Sequence, residues 1–204
     1  MNRPRPFRLG ITGGIASGKS TVMSTLGDLG AELIDADRVY HDLIEPGQPL
    51  NDVLVERWGG RVRLPDGRID RRALGSIVFS DPAQLAELDR LTHPAIRRRI
   101  DDLFDDSSAD VVAIDAVKLI ESGHADRCDS VWLVLAGPQD QVTRLVSFRG
   151  LSREDAERRV AAQPDVERRM KRADVVIRND GTVTDLERRV HAAWQQHVAS
   201  AVQT

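Results

Sequence analysis

Short apolar runs alternate with amphipathic segments along most of this 204-residue chain. Five runs have the character of buried strands, at residues 8–12, 31–34, 110–115, 131–135 and 174–177. The segments between them carry apolar residues mostly at helical spacing. Because strands that alternate with helices form parallel sheets covered on both faces, we predict an α/β fold with a five-stranded parallel sheet.

Two of the intervening segments are long and helical. Residues 45–106 show no strand pair, and their leucines and valines recur at helical spacing. We expect Asp70 to cap one helix, a second helix to start at Asp81, and a third at residues 92–94, where a proline sits in the first turn. Residues 139–172 are rich in arginine and predict a hairpin of two helices that is broken at Gly150.

A glycine-rich loop follows the first apolar run. Residues 13–20 have two glycines separated by four residues and then Lys19 and Ser20, which is the phosphate-loop pattern. The amides of such a loop and the start of the next helix bind phosphate, the lysine adds positive charge, and the serine hydroxyl ligates Mg²⁺. The alternative is a turn that only joins strand to helix. We predict a nucleoside triphosphate site formed by Gly14, Ile15, Ala16, Ser17, Gly18, Lys19, Ser20 and Thr21.

Carboxylates follow two of the predicted strands, where open α/β sheets bind their ligands. Asp35 and Asp37 come directly after the second apolar run, and Asp115 ends the third. Either member of the first pair can accept a proton from an attacking hydroxyl or cap the next helix, and both roles hold if one caps while the other catalyses. Asp115 either faces Mg²⁺ or caps the turn after its strand.

Composition narrows the function classes. A net charge of −3 gives no general attraction for nucleic acid or an anionic membrane. Cys128 is the single cysteine, which excludes a disulfide framework or a thiolate zinc site within one chain. No run approaches the ~18 apolar residues of a membrane span, and the first residues lack the apolar stretch of a signal peptide. We expect a cytoplasmic protein, either a monomer or a weak oligomer.

The chain also lacks two signatures that other phosphate-loop proteins carry. It has neither a guanine-reading Asn-Lys-x-Asp nor the Leu-Ser-Gly-Gly of transporter ATPases. A helical insertion after the second strand and an arginine-bearing hairpin after the fourth instead predict a small-molecule kinase, with one segment holding the acceptor and the other closing over ATP as a lid. The predicted core is residues 1–38, 107–138 and 173–204, the insertion 39–106 and the lid 139–172. A nucleotide-dependent switch or RNA-binding ATPase that uses the arginine hairpin is the alternative class.

The sequence resembles the dephospho-coenzyme A kinases over nearly its whole length. The matching segments are residues 9–21, 34–37, 45–47, 70–74, 77–79, 93–94, 161–163 and 174–181. The resemblance implies transfer of the ATP γ-phosphate to the ribose 3′-hydroxyl of dephospho-coenzyme A, with Mg²⁺ as cofactor and Asp37 as the base. A kinase of another nucleoside or nucleotide is the nearest alternative.

The resemblance also implies roles for residues outside the loop. Arg149, or else Arg144, is expected to be the lid arginine, and Asn179 is expected at the ATP site. Asp35, Arg71 and His93 are expected at the acceptor. Ser20 and Asp115 are the predicted Mg²⁺ ligands.

One segment departs from the family pattern. The family usually reads Asp-x-Pro-Leu-Leu after the third strand, whereas this chain has Val117 in place of the proline and Lys118 in place of a leucine. The positive charge of Lys118 either alters how the acceptor is bound or faces solvent.

Overall fold

A computed structural model describes residues 5–202 and shows one parallel sheet. The strands lie in the order β2–β3–β1–β4–β5. They are β1 Phe7–Gly13, β2 Glu32–Asp35, β3 Val111–Asp115, β4 Ser130–Leu135 and β5 Val175–Arg178. β1 pairs in parallel with β3 and β4, and β4 pairs in parallel with β5. The predicted fold class is confirmed; residues 1–4 and 203–204 of the predicted core lie outside the described part of the chain.

Helices connect the strands. They are α1 Lys19–Asp28, α2 Ala36–Leu43, α3 Pro49–Trp58, α4 Arg71–Val78, α5 Pro82–Asp106, α6 Pro138–Arg149, α7 Arg153–Ala161, α8 Val166–Arg172, α9 Val183–Trp194 and α10 Ser200–Val202. A π-helical stretch, Gln195–Ala199, joins α9 to α10. No helix within residues 5–202 combines the length and apolar character that a bilayer span requires.

The chain forms two compact units. Among the described residues, the first contains 5–34 and 104–202, and the second is Asp35–Leu103. In the first unit, nearly every residue of β3 and β4 is buried, so both faces of the sheet are covered. Leu9, Ile11 and Trp132 are fully buried and cluster with α1 and α9. This packing fixes the end of β1, where the glycine loop begins.

The second unit has a hydrophobic core of its own. Its buried members are Ile44, Leu50, Leu54, Trp58, Val62, Ile69, Leu74 and Val78. Asn51 is fully buried beside them and donates to the carbonyl oxygens of Ile44 at 2.8 Å and Gly67 at 3.1 Å. These bonds satisfy loop carbonyls that would otherwise be left unpaired, so the insertion is a packed element and not an extended loop.

Two predicted helix boundaries are wrong. No helix starts at residues 92–94, because Pro94 lies inside the single helix α5. Proline removes a helical hydrogen bond, but residues on both sides of Pro94 pack against the core of the second unit and keep the helix continuous: Leu85, Leu88, Leu91 and Ala95. Residues 139–172 form three helices and not two, since Asp165 caps α8 by accepting from the Glu167 N–H.

Candidate active site

The glycine loop has the geometry of an anion site. It lies between the end of β1 at Gly13 and the start of α1 at Lys19. Gly18 precedes the helix with a left-handed φ of 102°, which glycine adopts at little cost. The Ser17 N–H donates to the Gly14 carbonyl at 3.3 Å and closes the turn. The first amides of a helix have no partner within it, so those of α1 and the helix dipole provide a site for phosphate.

Lys19 and the two hydroxyl residues after it occupy the first turn of α1. The Lys19 ammonium lies 3.3 Å from the Gly13 carbonyl oxygen, so its charge is held at the mouth of the loop. Ser20 is exposed and Thr21 is half-buried. The predicted phosphate residues are therefore contiguous around one loop and one helix start.

Arg144 and Asn179 each donate a hydrogen bond to a backbone carbonyl of the loop. The Arg144 guanidinium donates to the Ala16 carbonyl at 3.1 Å and to the Asn179 carbonyl at 3.1 Å. The buried Asn179 amide donates to the Ser17 carbonyl at 2.8 Å. The sequence predicts both residues at ATP, and the structure places both on the backbone of the loop; their contact with nucleotide stays a prediction. Arg149, the other candidate, is exposed at the last residue of α6.

Asp115 lies at the end of β3, next to the strand that leads into the loop. It pairs in register with Ile11 of β1, two residues before Gly13. Its carboxylate is half-buried. Strand order therefore brings a carboxylate to the same edge of the sheet as the glycine loop, as predicted for an Mg²⁺ ligand.

The structure distinguishes the two acids after β2. Asp35 caps α2, and its carboxylate accepts from the N–H groups of Asp37 at 2.9 Å and Arg38 at 3.2 Å. Asp37 stands in the first turn with an exposed side chain that the cap does not use. The sequence left either residue open for either role. The geometry assigns capping to Asp35 and leaves the Asp37 carboxylate available for chemistry.

Arg71 and His93 both belong to the second unit. Arg71 is the exposed first residue of α4. Burial raises the pKa of Tyr40 on α2, and the charge of Arg71 opposes that rise, so the two side chains are neighbours. The His93 ring lies 3.3 Å from the Asp89 carboxylate on the same helix. Their contact with an acceptor stays a prediction.

A buried arginine fixes the segment that departs from the family pattern. Arg169 on α8 is only 3% exposed and donates to the Glu121 carboxylate at 2.8 Å and to the Val117 carbonyl at 3.0 Å. The Thr12 hydroxyl donates to the same carbonyl at 3.1 Å. Lys118 itself is exposed. The arginine-rich sequence of residues 139–172 gives no sign that one of its arginines is buried.

Replacing Arg169 by methionine should lower the free energy of unfolding by about 2–3 kcal/mol, because Glu121 loses its partner and a carbonyl loses its donor. Urea unfolding of the two chains measures the difference. The matched control is Arg168→Met, since Arg168 is exposed on the same helix. Equal stability of the two variants would contradict the assigned role.

The fold and the loop define the class of protein: a phosphate-loop kinase, in which a glycine loop lies between the first strand and the first helix of a parallel sheet. A shikimate kinase from Acinetobacter baumannii shares this fold, with a TM-score of 0.57 at 14% identity over 95% of this chain and 96% of that one. Residues 7–185 match the family described as dephospho-CoA kinase. The chain belongs to the dephospho-CoA kinase family, whose members catalyse the final step of coenzyme A biosynthesis by phosphorylating dephospho-CoA with ATP.

Individual relatives agree with this family. The dephospho-CoA kinase of Geobacter sulfurreducens is 45% identical over 190 residues, which cover 91% of this chain and 96% of that protein. The solved structure of TT1252 from Thermus thermophilus has a TM-score of 0.81 at 34% identity, covering 96% of this chain and 100% of that one. The resemblance inferred from the sequence is confirmed.

Proposed function

We propose that this chain transfers the γ-phosphoryl group of ATP to the ribose 3′-hydroxyl of dephospho-CoA. The observation that carries the proposal is the glycine loop, whose turn is closed, whose carbonyls are held by Arg144 and Asn179, and whose lysine lies at its mouth. A rigid set of amides and one ammonium suits the charge that spreads over the phosphoryl oxygens during transfer. Membership of the family supports dephospho-CoA as the acceptor.

Asp37 is the proposed base. Its carboxylate is exposed in the first turn of α2, and the cap of that helix uses Asp35 instead. A carboxylate at this position accepts a hydrogen bond from the acceptor hydroxyl, orients it toward the γ-phosphorus and takes its proton as the new bond forms. Most of the acceleration comes from holding the two reactants in line.

The oxygen donors at the loop fit Mg²⁺. Ser20 and Asp115 would hold the ion, one through a hydroxyl and one through a carboxylate, directly or through water. Within residues 5–202 there is no group of three or more acidic, histidine or cysteine side chains that could hold a metal. Mg²⁺ usually binds one or two carboxylates and completes its shell with phosphate oxygens and water, so a sparse donor set suits it. When bound, it would neutralise charge on the outer phosphates.

The two helical segments take the remaining roles in this proposal. Residues 39–106 bind the acceptor, and the compact core of the second unit supports such a separate role. Residues 139–172 form the lid. Arg149 is the better lid candidate because it is exposed. The Arg144 guanidinium already donates hydrogen bonds to the Ala16 and Asn179 carbonyls. A cytoplasmic location, a monomeric or weakly oligomeric state and independence from nucleic acid stay predictions.

The experiment that tests the function is ADP release with Mg·ATP against dephospho-CoA, adenosine, uridine, cytidylate and no acceptor. We expect release only with dephospho-CoA, together with a product that has the mass of coenzyme A. Turnover of another acceptor would keep the kinase mechanism and show that the segment around Lys118 has changed the acceptor site. Equal ADP release without any acceptor would instead indicate a nucleotide-dependent switch.

A further inference from the structure

A glutamine after α7 reaches the glycine loop. Gln163 is half-buried, and its side-chain carbonyl accepts from the Ile15 N–H at 2.6 Å. Its side-chain nitrogen donates to the Gln141 carbonyl oxygen at 3.2 Å and to the Val160 backbone carbonyl at 3.1 Å. The donors and the acceptor of the carboxamide are all engaged, so the group is held in a single orientation.

The contact depends on a glycine. A Cβ at Gly14 would collide with the Gln163 side-chain oxygen and would lie 2.7 Å from the Gln141 side-chain nitrogen. Two carboxamides therefore rest directly against the loop backbone at its first turn. The Ile15 N–H is thereby committed to a protein partner, which leaves the first-turn amides of α1 for phosphate.

The next residue of the loop is strained. Ala16 has a φ of 52°, and within residues 5–202 it is the one non-glycine residue with a positive φ. Such conformations persist where the surroundings enforce them. Gln163 accepts from the N–H of Ile15, the residue before Ala16, and Arg144 donates to the carbonyl of Ala16 itself. Ile15 and Ala16 also pack against an apolar cluster from α6 and α7, with Val142, Leu145 and Ala156 at its centre.

We propose that Gln163 is a positioning residue for phosphoryl transfer, which fixes the Ile15 peptide and ties the shape of the loop to the end of α7. Gln141 supports it by holding the carboxamide in orientation. The inference rests on the proposed use of this loop for ATP. Pre-organised donors matter most where charge develops in the transition state. Lys19 and the start of α1 still attract ATP when the contact between Gln163 and Ile15 is absent. Loss of Gln163 therefore lowers turnover more than it weakens ATP binding.

The test is steady-state ADP release by the full chain at saturating dephospho-CoA, with ATP varied. Gln163→Ala should lower kcat about tenfold, the cost of one well-placed hydrogen bond, and change KM for ATP by less than about twofold. Gln141→Ala should lower kcat less, and the double variant should match Gln163→Ala alone. Gln195→Ala is the matched control, because Gln195 is an exposed glutamine after α9, outside the glycine loop, the insertion and the lid; it should match the unchanged chain.

Two outcomes would overturn the inference. One is a Gln163→Ala variant with the kcat of the Gln195→Ala control, and the other is a double variant whose loss is the product of the two single losses. Circular dichroism checks that each variant is folded. If Gln163→Ala fails to fold, Gln141→Ala decides, with a reduced kcat at unchanged KM supporting the inference and unchanged kinetics contradicting it. An unchanged chain that releases no ADP would overturn the proposed function as well.

Discussion

Replacing Asp37 by asparagine should lower turnover with dephospho-CoA by about two to four orders of magnitude and leave ATP affinity unchanged. Asparagine keeps the size and the polar oxygen of the side chain but cannot take a proton. The Asp37 side chain is exposed in the first turn of α2, and the cap uses only the backbone N–H of this residue, so asparagine leaves the cap in place. ADP release at saturating substrates measures turnover, and calorimetric titration with Mg·ATP measures affinity.

Asp42→Asn is the matched control for this variant. Asp42 is also an exposed aspartate on α2, and it has no assigned part in the reaction. The control should turn over like the unchanged chain, which separates the loss of a base from a general change in the charge of the helix. Full activity of Asp37→Asn would remove this residue from the mechanism.

Replacing Lys19 by alanine should lower turnover by about 100–1,000-fold, the usual cost of removing one donor that stabilises transition-state charge. The Lys19 ammonium lies 3.3 Å from the Gly13 carbonyl oxygen, where it can reach the outer phosphates as negative charge moves toward the leaving oxygen. ATP affinity should fall as well, because the ammonium also attracts the ground-state phosphates. The same ADP assay and titration measure both effects.

Lys171→Ala provides the comparison for Lys19. Lys171 is exposed on α8, and its replacement by alanine removes the same charge from the protein as a whole. It should leave both turnover and ATP affinity near those of the unchanged chain. A Lys19→Ala variant that behaves like Lys171→Ala would contradict the assignment of the phosphate loop.

Local sequence signals were sufficient for the parts of the fold that short segments determine. The strand, loop and helix around residues 8–29 were predicted because apolar runs, glycines and helical spacing all lie within one stretch. The cap at Asp70 was predicted for the same reason. The roles of Asp35 and Asp37 were not separable, since both are good caps and only backbone geometry shows which one accepts the helix amides.

Contacts between distant segments were not predictable. Gln163 was noticed only as part of a family match, and its bond to Ile15 joins residues 148 positions apart. Arginine is usually a surface residue, yet the Arg169 side chain is buried against Glu121 and the Val117 carbonyl. In a single sequence nothing distinguishes it from the exposed arginines beside it. The uninterrupted helix through Pro94 was missed because packing outweighed a local breaker.

The structure also explains how the segment after β3 keeps its shape without the family's proline. Proline restricts a chain by fixing φ, and here the Val117 carbonyl is held instead by Arg169 and the Thr12 hydroxyl. The loss of a covalent restraint is offset by two hydrogen bonds from separate elements. Lys118 is exposed, so its charge does not need a buried partner.

The bonds that hold the glycine loop have a consequence for protein synthesis. The loop leaves the ribosome well before the side chains that fix it, because Arg144, Gln163 and Asn179 are between 128 and 162 positions further along the chain. A nascent chain that ends before Asn179 has the complete loop sequence but lacks one of the three side chains that hold the loop backbone. The loop should therefore take its final shape only after Asn179 has been made, so a shorter nascent chain carries the phosphate-loop sequence without its finished geometry.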